Sequence, residues 1–371
     1  MKKETHLESN GKEAKRGAAF SKKLLHWNDY ENIRLMPWKG ERDPYKIWLS
    51  EVILQQTRVE QGWAYYDRFL VKYPTIVELA LAPETAIFKL WEGLGYYSRC
   101  RNLIATARLI ASQFDGKFPS DYESILKLKG IGPYTASAIA SFAFDLPHAV
   151  VDGNVNRVLA RFFGISISVD SNEGKAYFFT LAHQLLDRSN PARYNQSIMD
   201  FGATVCKPRL PLCENCVLST GCAAYNQDAV NEYPVKSKKI VKKQRWFYYI
   251  LAEIDGSFLL RKRTGSDIWQ NLYEFILIEG DGPLSPDEIA LSPKFRQISR
   301  GSAKLIHISR VYKQQLTHQT INGFFTHVIL KKRVELEGYQ NQEKALVKEL
   351  AFPRFITRYF DDRADFFEPE E

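Results

Sequence analysis

Between residues 21 and 225, apolar side chains recur at spacings of three and four, most clearly in 47–59, 103–114, 122–144, 155–163 and 176–187. That period lines one face of an α-helix, so the segment predicts a helical domain with almost no strand signal. The texture changes after residue 245. Short runs rich in aromatic and β-branched residues, WFYYILAE (246–253), SFLLRKR (257–263), LYEFILI (272–278) and GFFTHVILKK (323–332), are broken by Asp-Gly and Pro-containing turns and predict strands. A last helix is predicted over 353–360, and no internal repeat is present. The expected organisation is a mobile polar tail over 1–20, a mainly α domain over 21–225, a basic linker over 226–245 and an α+β domain over 246–371.

Length and composition narrow the class. The 371 residues suit two domains of ordinary size. Apolar residues at 45% and charged residues at 25% exclude wholesale disorder and a fibrous protein. No apolar run approaches the ~20 residues of a membrane span. The stretch MKKETHLESNGKEAKRG lacks the apolar centre of a secretory signal, so a cytosol-like compartment is expected. Net charge of +8 is a weak clue here. Residues 236–245 (KSKKIVKKQR) hold six of the 51 basic residues and no acid, which leaves the rest nearly balanced against 43 acids. Nucleic-acid binding must therefore be argued from local geometry.

Residues 121–144 supply such geometry. Ile125, Leu126 and Leu128 form the apolar face of a short helix, Gly130 and Gly132 flank Ile131, and Pro133 opens a second, Ala-rich helix. Glycines let the turn approach another surface, and the N–H groups of the second helix start can hold phosphate. A bare Gly-x-Gly corner would also fit, but Leu128-Lys129-Gly130-Ile131-Gly132 with Tyr134-Thr135-Ala136 resembles the helix-hairpin-helix motif of DNA-repair glycosylases. In VVDGNVNRVLARFF (150–163), Asp152 stands just before a predicted helix, where an N-cap is the plain reading. The segment is similar to the one in that superfamily whose aspartate faces the sugar of an extruded nucleotide. The resemblance thus gives Asp152 a second role in stabilising positive charge.

Glu51 shares a helical face with Ile47 and Leu54 in an apolar run. Desolvation there would raise its pKa and suit it to general-acid work, against the alternative of a structural Glu bonded to a neighbour. The string Trp48-Leu49-Ser50-Glu51-Val52-Ile53-Leu54-Gln55-Gln56-Thr57 closely resembles the catalytic helix of MutY-type adenine DNA glycosylases. Leu35-Met36-Pro37-Trp38, Leu90 through Arg99, and Tyr194-Asn195-Gln196 with Met199-Asp200 agree with it. The resemblance implies that Glu51 protonates adenine and that Gln55, Gln56 and Thr57 enter the duplex. It also implies that Trp38, Leu94 and Tyr96 contact the substrate, with Tyr96 stacking beside the damaged base. Gln196 maps to the residue at the adenine edge, and Tyr134 and Asn154 support Glu51 and Asp152.

Cys206, Cys213, Cys216 and Cys222 follow Cys-x6-Cys-x2-Cys-x5-Cys. Four thiolates within 17 residues can surround a zinc ion or an iron–sulfur cluster. Zinc ribbons usually pair two Cys-x2-Cys knuckles, and only one occurs here. The spacing resembles the 4Fe-4S loop of the endonuclease III and MutY families, which implies that cofactor. Lys207 and Arg209 lie in the first interval, where they could grip phosphate.

The C-terminal strands and Trp269 through Phe275 resemble the Nudix-like domain of MutY proteins. The best register for a nucleotide-hydrolysing Nudix box runs Gly282–Glu288–Arg296 and places the metal-binding pair on Arg300 and Gly301, so hydrolysis is not expected. The family's lesion loop reads Phe-Ser-His. This chain has Leu316-Thr317-His318, which points to Thr317 and His318 for lesion recognition.

The resemblance implies a monofunctional glycosylase, a mainly α helix-hairpin-helix domain with a 4Fe-4S loop over 206–222 and an α+β Nudix-like domain. It would excise adenine opposite 8-oxoguanine or G in double-stranded DNA, as a monomer without a membrane partner, in a bacterial-type cytoplasm at the nucleoid. Two alternatives differ at single positions. A bifunctional lyase needs a Schiff-base lysine where Tyr134 stands, and a non-enzymatic DNA-binding module has no use for Glu51.

Overall fold

The computed structural model describes residues 2–237, 241–300 and 302–367. The chain divides into two compact units, residues 1–80 with 105–238 and residues 81–104 with 239–371.

The first unit is helical, with no strand among its described residues. Its N-terminal helix, Lys2–Tyr30, replaces the expected tail over 1–20. Phe20, Leu24 and Trp27 recur at four and three and are buried with Val158, Phe162, Phe178 and Phe201. Arg16 extends the anchorage by donating to the carbonyls of Phe162 at 2.5 Å and Gly221 at 3.0 Å. Only Phe20 of this stripe falls within 1–20, so the polar run before it gives no apolar signal of the helix.

The helix Pro44–Leu54 starts where Asp43 accepts from the Tyr45 N–H at 2.9 Å, with Pro44 already at the helical φ. Its residues from Ile47 to Ile53 are buried, which makes it a central helix. The 122–144 pattern resolves into helices Tyr122–Leu126 and Pro133–Phe144, joined through Gly130 at φ +79°. Next comes Gly153–Phe163, capped by Asp152 and closed by Gly164 in the left-handed region at φ +71°. Asn195, from helix Pro191–Thr204, accepts from the Val150 N–H at 3.0 Å and donates to the His148 carbonyl at 2.9 Å. These bonds fix the extended approach to Asp152.

The second unit is built on β1 (Lys243–Ile254), β2 (Ser257–Lys262), β3 (Tyr273–Glu274), β4 (Ile276–Gly280), β5 (Lys304–Ile308), β6 (Tyr312–Gln315), β7 (Gln319–Gly323), β8 (Phe325–Ile329) and β9 (Gln340–Glu343). The long β1 pairs antiparallel with β4 and runs parallel to β7 and β8. Strand β6 joins β7, while β5 joins β8. Helix Arg354–Asp362 buries Phe355, Ile356 and Tyr359. Gly323 is required between β7 and β8: at φ +154° a Cβ would lie 1.7 Å from the Phe247 carbonyl oxygen.

Two boundaries differ from the sequence reading. Lys243, Gln244 and Arg245 are strand residues in register with Gln319, Thr320 and Ile321, so the linker does not reach 245. Segment 81–104 belongs to the second unit, where Lys89 donates to the Leu350 carbonyl at 3.0 Å and Glu92 accepts from the Phe352 N–H at 2.7 Å. Its helical period shows that it has a buried face but not what that face meets. Glu288 forms a capping box with Ser285, which gives this carboxylate a structural task. Gly301 lies outside the described residues.

Candidate active site

In the first unit, a cavity of about 430 Å³ is lined by Trp38, Glu51, Thr57, Tyr134, Asp152, Asn154 and Gln196. Central helix, hairpin helix and capped helix each contribute to it, so the predicted catalytic residues meet in one place. Glu51 is only 7% exposed. Burial drives its carboxyl up to about 7, a hydrogen bond from the Tyr134 hydroxyl opposes the shift, and the negative Asp152 adds to it. Tyr134 itself is pushed upward by burial and by the two carboxylates, so it stays a neutral donor.

Asp152 is a cap and more. One oxygen accepts from the Val155 N–H and the other from Asn154 Nδ2, both at 2.7 Å. Burial raises its pKa while these bonds oppose the rise. Asn154 is oriented in turn by Arg157, whose Nη2 donates to Asn154 Oδ1 at 2.8 Å and to the Gly202 carbonyl at 2.6 Å. Arg157 Nε donates to the Cys206 carbonyl at 2.8 Å, tying the Asp152 helix to the cysteine loop. A Cβ on Gly202 would come 2.7 Å from Asn154 Cβ, so glycine permits this packing. Sequence reading missed Arg157; its signal was a cation inside a buried helical turn.

The remaining predicted residues fall in several settings. Gln56 follows the end of helix Pro44–Leu54 with a left-handed backbone, φ +56°, and an exposed side chain, while Gln55 is half-buried. At the hairpin, the Ile131 N–H is used within the turn, bonded to the Leu128 carbonyl at 3.1 Å, so it is not among the open donors. Gly132 has no atom within 4 Å of a would-be Cβ, which leaves the helix start open to close approach. In the second unit, Tyr96 has φ +47° and is 42% exposed, whereas the Leu94 side chain is buried. Thr317 and His318 sit in the β6–β7 turn, closed by the Leu316 N–H to Gln319 carbonyl bond at 2.7 Å. With Tyr96, Arg101 and Trp269 they line a cavity of about 640 Å³, in which the Tyr96 and Thr317 hydroxyls are bonded to each other.

The four loop cysteines form no disulfide and line one small cavity. Arg161 ties the loop down, donating to Cys206 Sγ at 3.5 Å and to the Lys207 carbonyl at 2.8 Å. Burial and the neighbouring thiols raise Cys216 to about 12. A donor set of four sulfurs without a carboxylate suits a thiophilic metal group. Among the described residues, no three of these side chains are placed to hold a single metal ion.

A glycine hairpin with an open helix start, beside a cavity that holds a buried acid and a capping aspartate, is the arrangement expected of a base-excision glycosylase of the helix-hairpin-helix class. Residues 49–176 match the family described as HhH-GPD superfamily base excision DNA repair protein. Adenine DNA glycosylase from Buchnera aphidicola subsp. Schizaphis graminum is 36% identical over 330 residues, 88% of this chain and 91% of that protein. The Homo sapiens adenine DNA glycosylase is 42% identical over 215 residues, 56% of this chain and 39% of that protein. A thermostable thymine-DNA glycosylase structure matches with a TM-score of 0.54 and 32% identity, covering 57% of this chain and 98% of that one. The chain belongs to the adenine DNA glycosylase family.

Proposed function

We propose that this enzyme removes adenine mispaired with 8-oxoguanine, and also with G, by hydrolysing the N-glycosidic bond and leaving the strand intact. The observation that carries the reading is Glu51, a buried carboxyl with a pKa of about 7, in one cavity with Asp152, Tyr134 and Gln196. A carboxyl that keeps its proton near neutrality can deliver it to adenine N7. The C1′–N9 electron pair then leaves with the base. Positive charge develops on the sugar and is stabilised by Asp152, whose orientation is fixed by the Val155 N–H and Asn154. Water adds to C1′ and returns a proton to Glu51. Tyr134 is a phenol where a lyase needs an amine, so no Schiff base forms and the strand is not cut.

Extrusion of adenine costs a few kcal/mol of stacking and pairing. Exposed Gln56 and Tyr96 would fill the vacated stack, with backbone grip from the hairpin. Thr317 and His318 would read the oxidised base. Single-turnover assays on duplexes with A opposite 8-oxoguanine, G or C test the reading. Excision should be fastest opposite 8-oxoguanine, and Thr317→Ala with His318→Ala should slow that substrate much more than A:G. Equal loss on both would assign this turn to general DNA affinity.

The cysteine loop fits a 4Fe-4S cluster better than zinc, because four sulfurs line one cavity and Cys-x6-Cys-x2-Cys-x5-Cys lacks the second Cys-x2-Cys knuckle of a zinc ribbon. Bound there, the cluster would supply a rigid fold for the loop, held by Cys206, Cys213, Cys216 and Cys222. Iron and acid-labile sulfide should each be found at about four per chain. One zinc and no iron would overturn this assignment.

A further inference from the structure

Asp200 is wholly buried behind the cavity wall, on the same helix as Gln196 and one turn later. Four donors converge on its carboxylate. Arg34 Nη1 and Gln196 Nε2 reach Oδ1, each at 2.9 Å. Asn32 Nδ2 reaches Oδ2 at 2.9 Å and Lys39 Nζ at 3.1 Å. Arg34, Lys39 and Gln196 also line the cavity, whereas Asp200 does not. We infer that Asp200 is a positioning residue for base selection: it locks the side-chain amide of Gln196 in one orientation, so that the amide oxygen faces the bound base.

The physical reason is the one-sidedness of a carboxylate. Within ion-pair distance of Arg34 and Lys39, Asp200 offers only acceptors. An unconstrained glutamine can turn its oxygen and nitrogen about with little cost, and a site walled by such a residue accepts a donor or an acceptor equally. Here a turned amide would set its oxygen against a buried carboxylate, and that arrangement is excluded. Nε2 is therefore committed to Asp200, and Oε1 is the atom presented to the cavity. Position 6 of adenine bears an amino donor. Guanine and hypoxanthine bear an oxygen acceptor there, which would meet the Gln196 oxygen without a proton between them. A base that offers no donor leaves a buried acceptor unpaired, and that penalty makes the selection effective.

This inference rests on adenine being the base read, and its test is arranged to separate the two. The Glu51→Gln protein, which should bind without excising, is titrated with duplexes carrying adenine, purine, hypoxanthine or cytosine opposite 8-oxoguanine. Adenine should bind about 10-fold tighter than purine, which lacks only the 6-amino group, with hypoxanthine weaker still. Adding Asp200→Asn frees the Gln196 amide to turn and should bring the adenine and hypoxanthine affinities to within about threefold of each other. Gln196→Met should remove the adenine–purine difference while leaving the cage of Asp200, Arg34 and Lys39 in place. If hypoxanthine binds as tightly as adenine to the protein with Asp200 intact, the amide is not locked and the inference falls, whether or not the Asp200 variant folds. Equal loss of adenine, purine and hypoxanthine in Asp200→Asn would likewise reduce Asp200 to a structural role. No preference for adenine over cytosine would overturn the substrate reading itself.

Discussion

Glu51→Gln is expected to lower base excision by about a thousandfold while leaving duplex binding within about threefold, since the amide keeps the shape of the carboxyl but has no acidic proton. The same group sets the pH dependence. With a carboxyl pKa of about 7, Glu51 carries its proton below pH 7 and loses it above, so the single-turnover rate should fall about tenfold per pH unit on the alkaline side. Stability follows the same ionisation. The folded-state pKa lies above the ordinary 4.5, so folding is unaffected below pH 4.5, weakens as pH rises towards 7 and is level beyond. Each pKa unit is worth about 1.4 kcal/mol, which makes the loss about 3 kcal/mol. The Glu51→Gln protein should therefore be more stable than wild type at pH 8 and nearly equal to it at pH 4.5, as read by urea titration with circular dichroism. Wild-type excision by the variant, or an equal stability gap at both pH values, would remove Glu51 from this role.

A second large effect is expected at Glu274, whose carboxylate is wholly buried in the second unit. Arg261 Nε donates to it at 2.8 Å, Arg263 Nη1 at 2.5 Å and the Tyr249 hydroxyl at 3.3 Å. Removing the buried carboxylate takes the ion pair from Arg261 and one of two from Arg263, at a cost of about 3–5 kcal/mol. Glu274→Ala should lower the urea midpoint by more than about 1 M. Arg263 also holds the Ile268 carbonyl at 3.1 Å and Asp267 at 2.9 Å, so the loop beside the Thr317 cavity should loosen and the preference for 8-oxoguanine over G should shrink. An unchanged midpoint would mean that the network only offsets its own desolvation.

What was legible in the sequence were patterns with a local physical cause. Helical spacing marked the central helix, and Gly130, Gly132 and Pro133 marked the hairpin. A lone acid among apolar neighbours marked Glu51. Polar edges carried little signal: β6 (YKQQ) and β9 (QNQE) are short and hydrophilic, and their pairing is set by β7 and β2. Segment 81–104 looked like any other helical stretch because its partners, Gln270, Leu350 and Phe352, lie about 170 to 260 positions away. Arg157 and Asp200 act through other side chains, and one-dimensional spacing does not reveal such relays. Leu94 was expected to touch the duplex, yet its side chain is spent on the core.

The left-handed backbones at Gln56 and Tyr96 have a consequence for anyone who evolves or redesigns this enzyme. A side chain in that region costs about 1–2 kcal/mol, which glycine would not incur. A screen for heat resistance that is blind to repair would therefore favour glycine at both positions. The survivors would be sturdier proteins lacking the two side chains proposed to hold the duplex open, and their defect would surface as a raised mutation rate in the host rather than as poor expression.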